Sequence, residues 1–263
     1  MNLITSKDNP LFKKIIRLNK PKERRESKQF VIEGKKEIMM AIDNGIVISE
    51  LIHEENAILN EKENKHFQSI AHQYQFSKAL FSKASYREEH AECLAICQLP
   101  ITNLDAITLS EDALIIVLES VEKPGNLGAI LRTADGCGAD AVIVCDEKTD
   151  FFNPNVIRSS VGTVFSVPKA SATKEDVAKW LLSKNVQVFT TIIENALPYY
   201  QADFHQHCAI VLGTEATGLT SFWRQQHFTN IIVPMKGQND SLNVSVAAAV
   251  IAFEARRQKT SIV

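Results

Sequence analysis

Three short segments of this chain place glycines beside polar side chains in patterns that suit ligand binding. In the first, Gly128 and Arg132 are four residues apart and would share one face of a helix, where the glycine leaves room for a ligand beside the guanidinium. In the second, residues 212–219, glycines flank Glu215 and let the backbone approach a flat ligand closely. In the third, residues 233–249, a loop with free backbone amides leads into a helix rich in Ala and Ser.

The elements that must position these segments alternate between strand and helix. The continuous apolar run at residues 113–118 is typical of a strand buried on both faces. A helix is predicted at 127–137 with Asn126 as its cap. Further elements are strands at 141–145, 186–191, 209–212 and 230–233, and a last helix at 243–258. This order predicts a mostly parallel sheet covered on both faces, and such sheets bind ligands at the carboxyl ends of their strands.

The first hundred residues predict a second, smaller α/β unit. Its predicted strands are residues 30–32, 46–53 and 93–99. One predicted helix begins at Pro10, and two others cover residues 35–43 and 67–74. Gly34 is predicted to form a turn. The best linker lies at 100–110, so we expect one domain over residues 1–105 and another over 106–263.

Composition excludes several classes of protein. The chain has 263 residues, of which 45% are hydrophobic and 23% charged, as in soluble globular proteins. No apolar run approaches the roughly 18 residues of a membrane span, and the N-terminus lacks the apolar stretch of a signal peptide. Five cysteines at irregular spacing argue against a disulfide framework. We therefore expect a cytoplasmic protein with reduced cysteines and no membrane association.

The formal net charge of −2 conceals a basic N-terminal segment. Residues 1–40 contain 11 Lys and Arg against 5 Asp and Glu, while residues 41–112 contain 5 against 12. Such a segment suits a phosphate backbone, although charge alone favours a solvated lysine-rich face over an RNA contact. The candidate RNA contacts are Lys22, Arg24 and Arg25, in a stretch that we expect to be flexible until it binds a polyanion.

Other chemistries find little support in the sequence. The G-x-G-x-x-A pattern at residues 136–141 ends a predicted helix instead of opening one, so a helix C-cap explains it better than a dinucleotide site. His90, Cys93 and Cys97 have no second cluster that would complete a tetrahedral metal site. A P-loop, a nucleophile elbow and an H-E-x-x-H motif do not occur.

In this order and spacing, the three segments resemble the three motifs of the SpoU/TrmH family of RNA ribose 2′-O-methyltransferases. The matching patterns are N-x-G-A-I-x-R at residues 126–132, L-G-x-E-x-x-G-L at 212–219 and V-P-M…S-L-N-V-S-V-A at 233–247. Where many members have an acidic residue before the proline of the first motif, this chain has Lys123. Residues 1–105 more weakly resemble the ribosomal-protein-like substrate-binding domain of rRNA-modifying members, most clearly at residues 30–34.

The resemblance implies an α/β trefoil-knot methyltransferase domain with a mostly parallel sheet, preceded by a small α/β ribosomal-protein-like domain. It also implies a homodimer, S-adenosylmethionine as the methyl donor and no need for a metal. The implied cofactor contacts, largely through backbone atoms, are Thr190, Leu212, Gly213, Val233, Met235, Ser241 and Leu242. The implied reaction centre consists of Asn126, Arg132, Glu215, Ser241 and Asn243.

The implied reaction is methyl transfer to a ribose 2′-hydroxyl of RNA, and we expect 23S ribosomal RNA as the substrate. A guanidinium is a poor base, so we expect Arg132 to orient the hydroxyl and stabilise developing alkoxide charge; phosphate, water or a transiently neutral arginine could take the proton. Three alternatives remain: a tRNA 2′-O-methyltransferase, a catalytically silent RNA-binding protein and a nicotinamide dehydrogenase. The N-terminal domain argues against the tRNA enzyme, and the intact motif residues argue against a silent protein. The glycines at residues 136–141, which end a helix instead of opening one, argue against the dehydrogenase.

Overall fold

The computed structural model describes residues 3–86, 91–214 and 217–260, and its contacts divide the chain into two compact units. The first unit comprises Met1–Pro100 and Asp150–Ser166, and the second comprises Ile101–Thr149 and Val167–Val263. From the sequence, residues 150–166 are predicted to belong to the second domain instead. They join the first unit because Phe152 and Phe165 pack on Phe30, with ring centroids 4.7 and 6.2 Å from that of Phe30.

The two units are built from short strands and helices. The strands are β1 (Leu3–Ile4), β2 (Gln29–Glu33), β3 (Ile48–Glu54), β4 (Gln73–Phe76), β5 (Cys93–Gln98), β6 (Leu114–Glu119), β7 (Ala141–Cys145), β8 (Lys169–Ala172), β9 (Gln187–Thr190), β10 (Leu197–Pro198), β11 (Cys208–Leu212) and β12 (Thr229–Ile232). The helices are α1 (Pro10–Leu18), α2 (Pro21–Ser27), α3 (Lys35–Asp43), α4 (Glu61–Phe67), α5 (Lys78–Ala84), α6 (Pro124–Cys137), α7 (Pro154–Ser159), α8 (Thr163–Ser166), α9 (Lys174–Ser183), α10 (Ser221–Gln225) and α11 (Val244–Thr260). None of the helices in the described part of the chain combines the length and apolar character that a membrane crossing requires.

The first unit contains a five-stranded mixed sheet in the order β1-β4-β3-β5-β2. Strands β1, β3 and β4 are parallel, whereas β5 runs antiparallel to both β2 and β3. Helices α1 and α5 pack together and contribute Phe12, Ile15 and Leu80 to an apolar cluster that also includes Ile52 of β3 and Phe76 of β4. The predicted strands and the helix at 35–43 are confirmed here.

Two local predictions in the first unit are wrong. Residues 67–74 do not form a helix, because a reciprocal capping box between Asn60 and Glu63 starts α4 earlier and the helix ends at Phe67. The amide of Gln73 then donates to the carbonyls of Phe67 and Ile70, which directs the chain into β4. The stretch expected to be flexible contains helix α2, which begins at Pro21, a residue suited to a first helical turn.

The second unit contains a seven-stranded parallel sheet in the order β10-β12-β9-β11-β6-β7-β8. Strands β6, β7 and β11 are buried along their whole length, as continuous apolar runs predict. Helices α6 and α11 pack against each other and against the sheet, and α9 packs on β7 and β9. The predicted parallel α/β architecture is confirmed.

The register of this sheet brings the three motif segments to one edge. Leu118 pairs with Leu212, Val211 with Thr190 and Thr190 with Asn230. Because the strands are parallel, the loops that follow β6, β9, β11 and β12 leave the sheet on the same side. The edge is therefore where a site assembled from the three motifs must form.

Candidate active site

An open cavity of about 430 Å³ lies at this edge of the second unit. Its wall contains six of the residues predicted to hold the cofactor: Leu212, Gly213, Val233, Met235, Ser241 and Leu242. We call it the motif cavity. Its volume falls in the range of small-molecule sites, which are usually concave and mostly apolar.

The apolar wall of the motif cavity comes from several elements that the sheet brings together. Ile192 follows β9, Leu219 follows β11, and Ile251 lies in α11; all three are buried. Ile193 also lines the cavity but leaves 71% of its surface exposed. This exposed apolar surface at the rim is available to cover one side of a flat ring.

Gly213 has a steric reason to be glycine. A side chain there would overlap the backbone of Gly218 and Leu219. The loop folds back on itself at this point, because Gly218 donates its backbone N–H to the carbonyl of Thr214 at 3.0 Å and the hydroxyls of Thr214 and Thr217 are 2.8 Å apart. The predicted catalytic residue Glu215 lies outside the described residues.

The prediction that Thr190 lines the cavity is wrong by one residue. Thr190 is fully buried, and its hydroxyl donates to Oδ1 of Asn230 at 2.6 Å. Thr191 lies in the cavity wall instead, and its backbone N–H and hydroxyl both donate to the carbonyl of Val211. Successive side chains of an extended chain point to opposite sides, so a shift of one residue moves the side chain from the cavity to the interior.

The loop after β9 supplies residues that the sequence analysis missed. Glu194 lines the cavity and forms an ion pair with Arg224 of α10, another lining residue. Asn230 donates its side-chain amide to the carbonyl of Glu194 at 2.7 Å. A backbone hydrogen bond and the Arg224 guanidinium lower the pKa of the Glu194 carboxyl. The sequence does contain a signal for this loop, because it directly follows a predicted strand, and parallel sheets bind ligands at the carboxyl ends of their strands.

Two of the predicted reaction-centre residues are in direct contact. The side-chain amide of Asn243 donates to Oδ1 of Asn126 at 3.2 Å. Oδ1 of Asn243 accepts the backbone N–H of Ser245 at 2.9 Å, so this residue also caps the start of α11. Asn126 lies inside the first turn of α6, which begins at Pro124, so the prediction that it caps that helix is wrong.

Arg132 occupies an exposed position on α6 and is not part of the cavity wall of a single chain. Among the residues that the structure describes, its guanidinium has no ion-pair partner. The prediction that Gly128 leaves room for a ligand beside Arg132 is wrong, because Gly128 is buried. Arg132 therefore shares its exposed helix face with Gly125, Ala129 and Gly136, which are separated by three or four residues.

The three predicted RNA contacts in the first unit have different environments. Lys22 and Arg25 are exposed, and the Nζ of Lys22 is 3.8 Å from the carboxylate of Glu26. Arg24 is only 1% exposed, and its guanidinium binds both carboxylate oxygens of Asp150 and the carbonyls of residues 18 and 19. The prediction that Arg24 contacts RNA is corrected, because all of its guanidinium nitrogens already have protein partners.

The cysteines and histidine considered as metal ligands do not form a cluster. Cys93 and Cys97 are buried in β5, and burial raises the pKa of the Cys93 thiol to about 12. His90 lies outside the described residues. Within the described ranges, no group of three or more His, Cys, Asp and Glu side chains is placed to hold a metal ion.

Comparison with known proteins decides the family. The profile of the SpoU rRNA Methylase family matches residues 113–253, and that of the MRM3-like substrate binding domain matches residues 9–95. The chain belongs to the SpoU rRNA methylase family. It is 30% identical over 257 residues to the 23S rRNA (guanosine(2553)-2′-O)-methyltransferase RlmP of Bacillus subtilis, covering 97% of this chain and all of that protein.

Other members of this family have similar sequences and structures. A 23S rRNA (uridine(2479)-2′-O)-methyltransferase of Streptomyces viridochromogenes is 27% identical, over 91% of this chain and 86% of that protein. The AdoMet-bound rRNA methyltransferase of Sinorhizobium meliloti is 30% identical, with a TM-score of 0.89 over 97% of both chains. The likeness to these SpoU-family enzymes therefore covers both units.

Proposed function

We propose that this SpoU-family protein transfers a methyl group from S-adenosylmethionine to a ribose 2′-hydroxyl of 23S ribosomal RNA. The observation that carries the proposal is the motif cavity, in which six motif residues meet at the carboxyl edge of the parallel sheet. The full-length similarity to 23S rRNA 2′-O-methyltransferases and to an AdoMet-bound rRNA methyltransferase supports it.

The motif cavity fits the proposed cofactor. Gly213 and its neighbours present backbone atoms to one side, and apolar residues from the loops after β9 and β11 and from α11 form a wall suited to a purine ring. When bound, S-adenosylmethionine supplies an electrophilic sulfonium methyl group. Leu212, Gly213, Val233, Met235, Ser241 and Leu242 would hold it, together with Thr191 and Ile193 of the loop after β9.

The remaining chemical task is to align and activate a weakly acidic hydroxyl. We assign this task to Arg132, with Asn126, Asn243, Ser241 and Glu215 as the other members of the reaction centre. The guanidinium of Arg132 would orient the ribose and its phosphate and stabilise the alkoxide charge that develops. The requirement for a 2′-hydroxyl separates RNA from DNA.

We further propose that the protein acts as a homodimer, through the exposed face of α6 and α11. Val246 and Phe253 of α11 are 47% and 51% exposed, and a side chain at Gly136 would lie 3.7 Å from Phe253. Such an apolar, small-residue face suits close packing of a second copy. Because Arg132 lies on the same face of α6, dimerisation would bury the proposed catalytic arginine beside a partner.

Residues 1–105 are the proposed RNA substrate-binding domain and residues 106–263 the proposed knotted methyltransferase domain. The match of residues 9–95 to a substrate-binding domain supports this division. The five free, buried cysteines agree with the proposed cytoplasmic location.

The decisive experiment combines a cofactor titration with a methyl-transfer assay. Calorimetry with S-adenosylmethionine and with NAD should show binding of the first alone. Labelled methyl should then pass to 23S rRNA and not to tRNA, and the product should carry a 2′-O-methyl ribose. Cofactor binding without transfer to either RNA would favour a catalytically silent protein, and transfer to tRNA alone would reject the ribosomal substrate.

A further inference from the structure

Glu119, the last residue of β6, carries a buried carboxyl group that the proposed mechanism does not use. Only 1% of the residue is exposed. Removing a carboxylate from water costs free energy unless hydrogen bonds within the protein replace its hydration. The partners of this carboxyl group therefore decide what it contributes.

Both carboxyl oxygens of Glu119 bind one residue, Thr220, which lies 101 positions further along the chain. Oε2 accepts the backbone N–H of Thr220 at 2.8 Å, and Oε1 accepts its hydroxyl at 2.7 Å. A threonine directly before a helix commonly uses its hydroxyl to cap that helix. Thr220 precedes α10 in this way, yet its side chain makes no cap hydrogen bond. Its hydroxyl is thus committed to Glu119, and we call this pair of hydrogen bonds the carboxyl clamp.

The carboxyl clamp fixes the end of the second motif segment. Gly218 and Leu219 line the motif cavity and come directly before Thr220. Their backbone lies so close to Gly213, at the start of the same loop, that a Cβ on Gly213 would overlap it. A displacement of Thr220 would therefore be passed to both sides of this loop.

The other end of the clamp belongs to the first motif segment, which is held firmly. Ser120 has a left-handed backbone with φ +52°, and its N–H donates to the last carbonyl of β7 at 2.9 Å. The carbonyl of Glu122 accepts the hydroxyl of Thr149 at 2.5 Å. Helix α6 begins two residues later, and its first turn contains Asn126 of the proposed reaction centre. The clamp therefore ties the loop after β11 to the segment that leads into the reaction centre.

We infer that Glu119 is a positioning residue for the proposed methyl transfer, which acts through Thr220 to set the loop after β11 relative to the reaction centre. The inference rests on the proposed function and adds a residue to it. Glu119 is not part of the cavity wall, so its effect on the cofactor is transmitted by Thr220 and not by contact. Small misplacements of reacting groups lower reaction rates steeply, so the clamp bears on both cofactor affinity and rate.

The first test measures the calorimetric affinity of the full-length protein for S-adenosylmethionine. Thr220→Val removes the hydroxyl and keeps the shape of the side chain, and it should weaken this affinity by about 5- to 10-fold, within the range for loss of one hydrogen bond. Thr220→Ser keeps the hydroxyl and should bind the cofactor like wild type. Glu119→Ala removes both hydrogen bonds, so its loss of affinity should be at least as large.

Glu119→Gln separates the shape of the side chain from its absence. Its amide oxygen can accept the N–H of Thr220, and its amide nitrogen can donate to the hydroxyl oxygen. This variant should therefore retain most of the cofactor affinity. It also continues the test, together with Thr220→Val, should Glu119→Ala not fold.

The control for a merely structural role is Val186→Ala. Val186 is buried directly before β9, at the end of that strand opposite the motif cavity. Its truncation should lower the urea midpoint of unfolding, because it removes buried methyl groups, while the cofactor affinity of the folded protein stays within about twofold of wild type. Thr220→Val should instead lower the affinity by more than its change in urea midpoint predicts from Val186→Ala.

The second test measures the single-turnover rate of methyl transfer to 23S rRNA at saturating S-adenosylmethionine. Thr220→Val should lower this rate by about 10-fold, because a displaced cofactor loop misaligns the reacting groups, and Thr220→Ser should restore it. Val186→Ala should leave the saturated rate near that of wild type.

Unchanged cofactor affinity and unchanged saturated rate in folded Thr220→Val and Glu119→Ala would overturn the inference, as would equal losses in Val186→Ala. Failure of the proposed function gives a different result. A wild-type protein that binds S-adenosylmethionine and transfers no methyl group to 23S rRNA would reject that function, while the affinities of the variants would still decide the role of the clamp in cofactor binding. A wild-type protein that binds no S-adenosylmethionine would overturn both.

Discussion

The motif cavity of the second unit and the basic helix α2 of the first unit acquire their properties in different ways. In the cavity, Gly213 matters because it has no side chain, and a side chain there would overlap the backbone of the same loop. Its residue type and its position directly after a strand therefore define its role. In α2, Arg24 and Arg25 are neighbours of the same type, yet one is buried on Asp150 and the other exposed. The comparison teaches that the role of a charged side chain depends on its partner. The partner of Arg24 is Asp150, 126 positions away in sequence, and no local pattern reveals this pairing.

The largest expected effect is on chemistry in the second unit. Arg132→Ala should lower the single-turnover rate of methyl transfer by roughly 10²–10³, the scale for loss of one preorganised donor. S-adenosylmethionine affinity should stay near normal, because Arg132 is exposed and outside the cavity wall. Arg132→Lys should restore little, since an ammonium lacks the guanidinium fork.

The control for this prediction is Lys179→Ala, which removes an exposed cation of α9 and should leave transfer unchanged. Near-normal turnover in Arg132→Ala would refute the catalytic assignment. Lost cofactor affinity with intact transfer at saturation would instead make Arg132 a binding residue.

In the first unit, the largest expected effect is on folding. Arg24→Ala should reduce the free energy of unfolding by about 3 kcal/mol, because it leaves the Asp150 carboxylate and two backbone carbonyls without their partner. Urea denaturation followed by circular dichroism measures the change. Arg25→Ala, in the same helix but exposed, should alter stability by less than about 0.5 kcal/mol. Equal stability of the two variants would mean that Arg24 is not anchored in solution.

Gly213 should tolerate even an added methyl group poorly, because backbone atoms occupy the space beside it. Gly213→Ala should weaken S-adenosylmethionine binding by about 30-fold, because the new Cβ would overlap the backbone of Gly218 and Leu219 and displace the loop. Gly125→Ala is the matched control, since nothing lies within 4 Å of a Cβ there. Calorimetric affinities that do not differ between the two variants would show that the loop adapts.

The smallest effect is expected from the exposed cations of α2. Lys22→Gln with Arg25→Gln should lower the affinity for RNA only a few-fold and flatten its salt dependence, while cofactor binding and stability stay unchanged. Fluorescence anisotropy at low and high salt measures the effect. Unchanged affinity at both salt concentrations would leave α2 as an ordinary solvated helix.

Much of the second unit could be predicted because its signals are local. The run at 141–145 is β7 residue for residue, and Gly138 ends α6 in the left-handed conformation that a glycine C-cap adopts. The failures concern which way a side chain points. The sequence predicts Thr190 and Gly128 on a ligand-facing side, yet both are buried, because the exact register and the packing of α6 are set by neighbours distant in sequence.

The contact between Asn126 and Asn243 joins the first turns of two long helices. Helix α6 has 14 residues and α11 has 17, and each carries a partial positive charge at its N-terminus from its aligned peptide dipoles. Their convergence gives the proposed reaction centre a positive potential that owes nothing to a titrating side chain. That potential would persist at every pH at which the protein stays folded, and it would favour the anionic oxygen of an RNA backbone over a neutral ligand of the same shape.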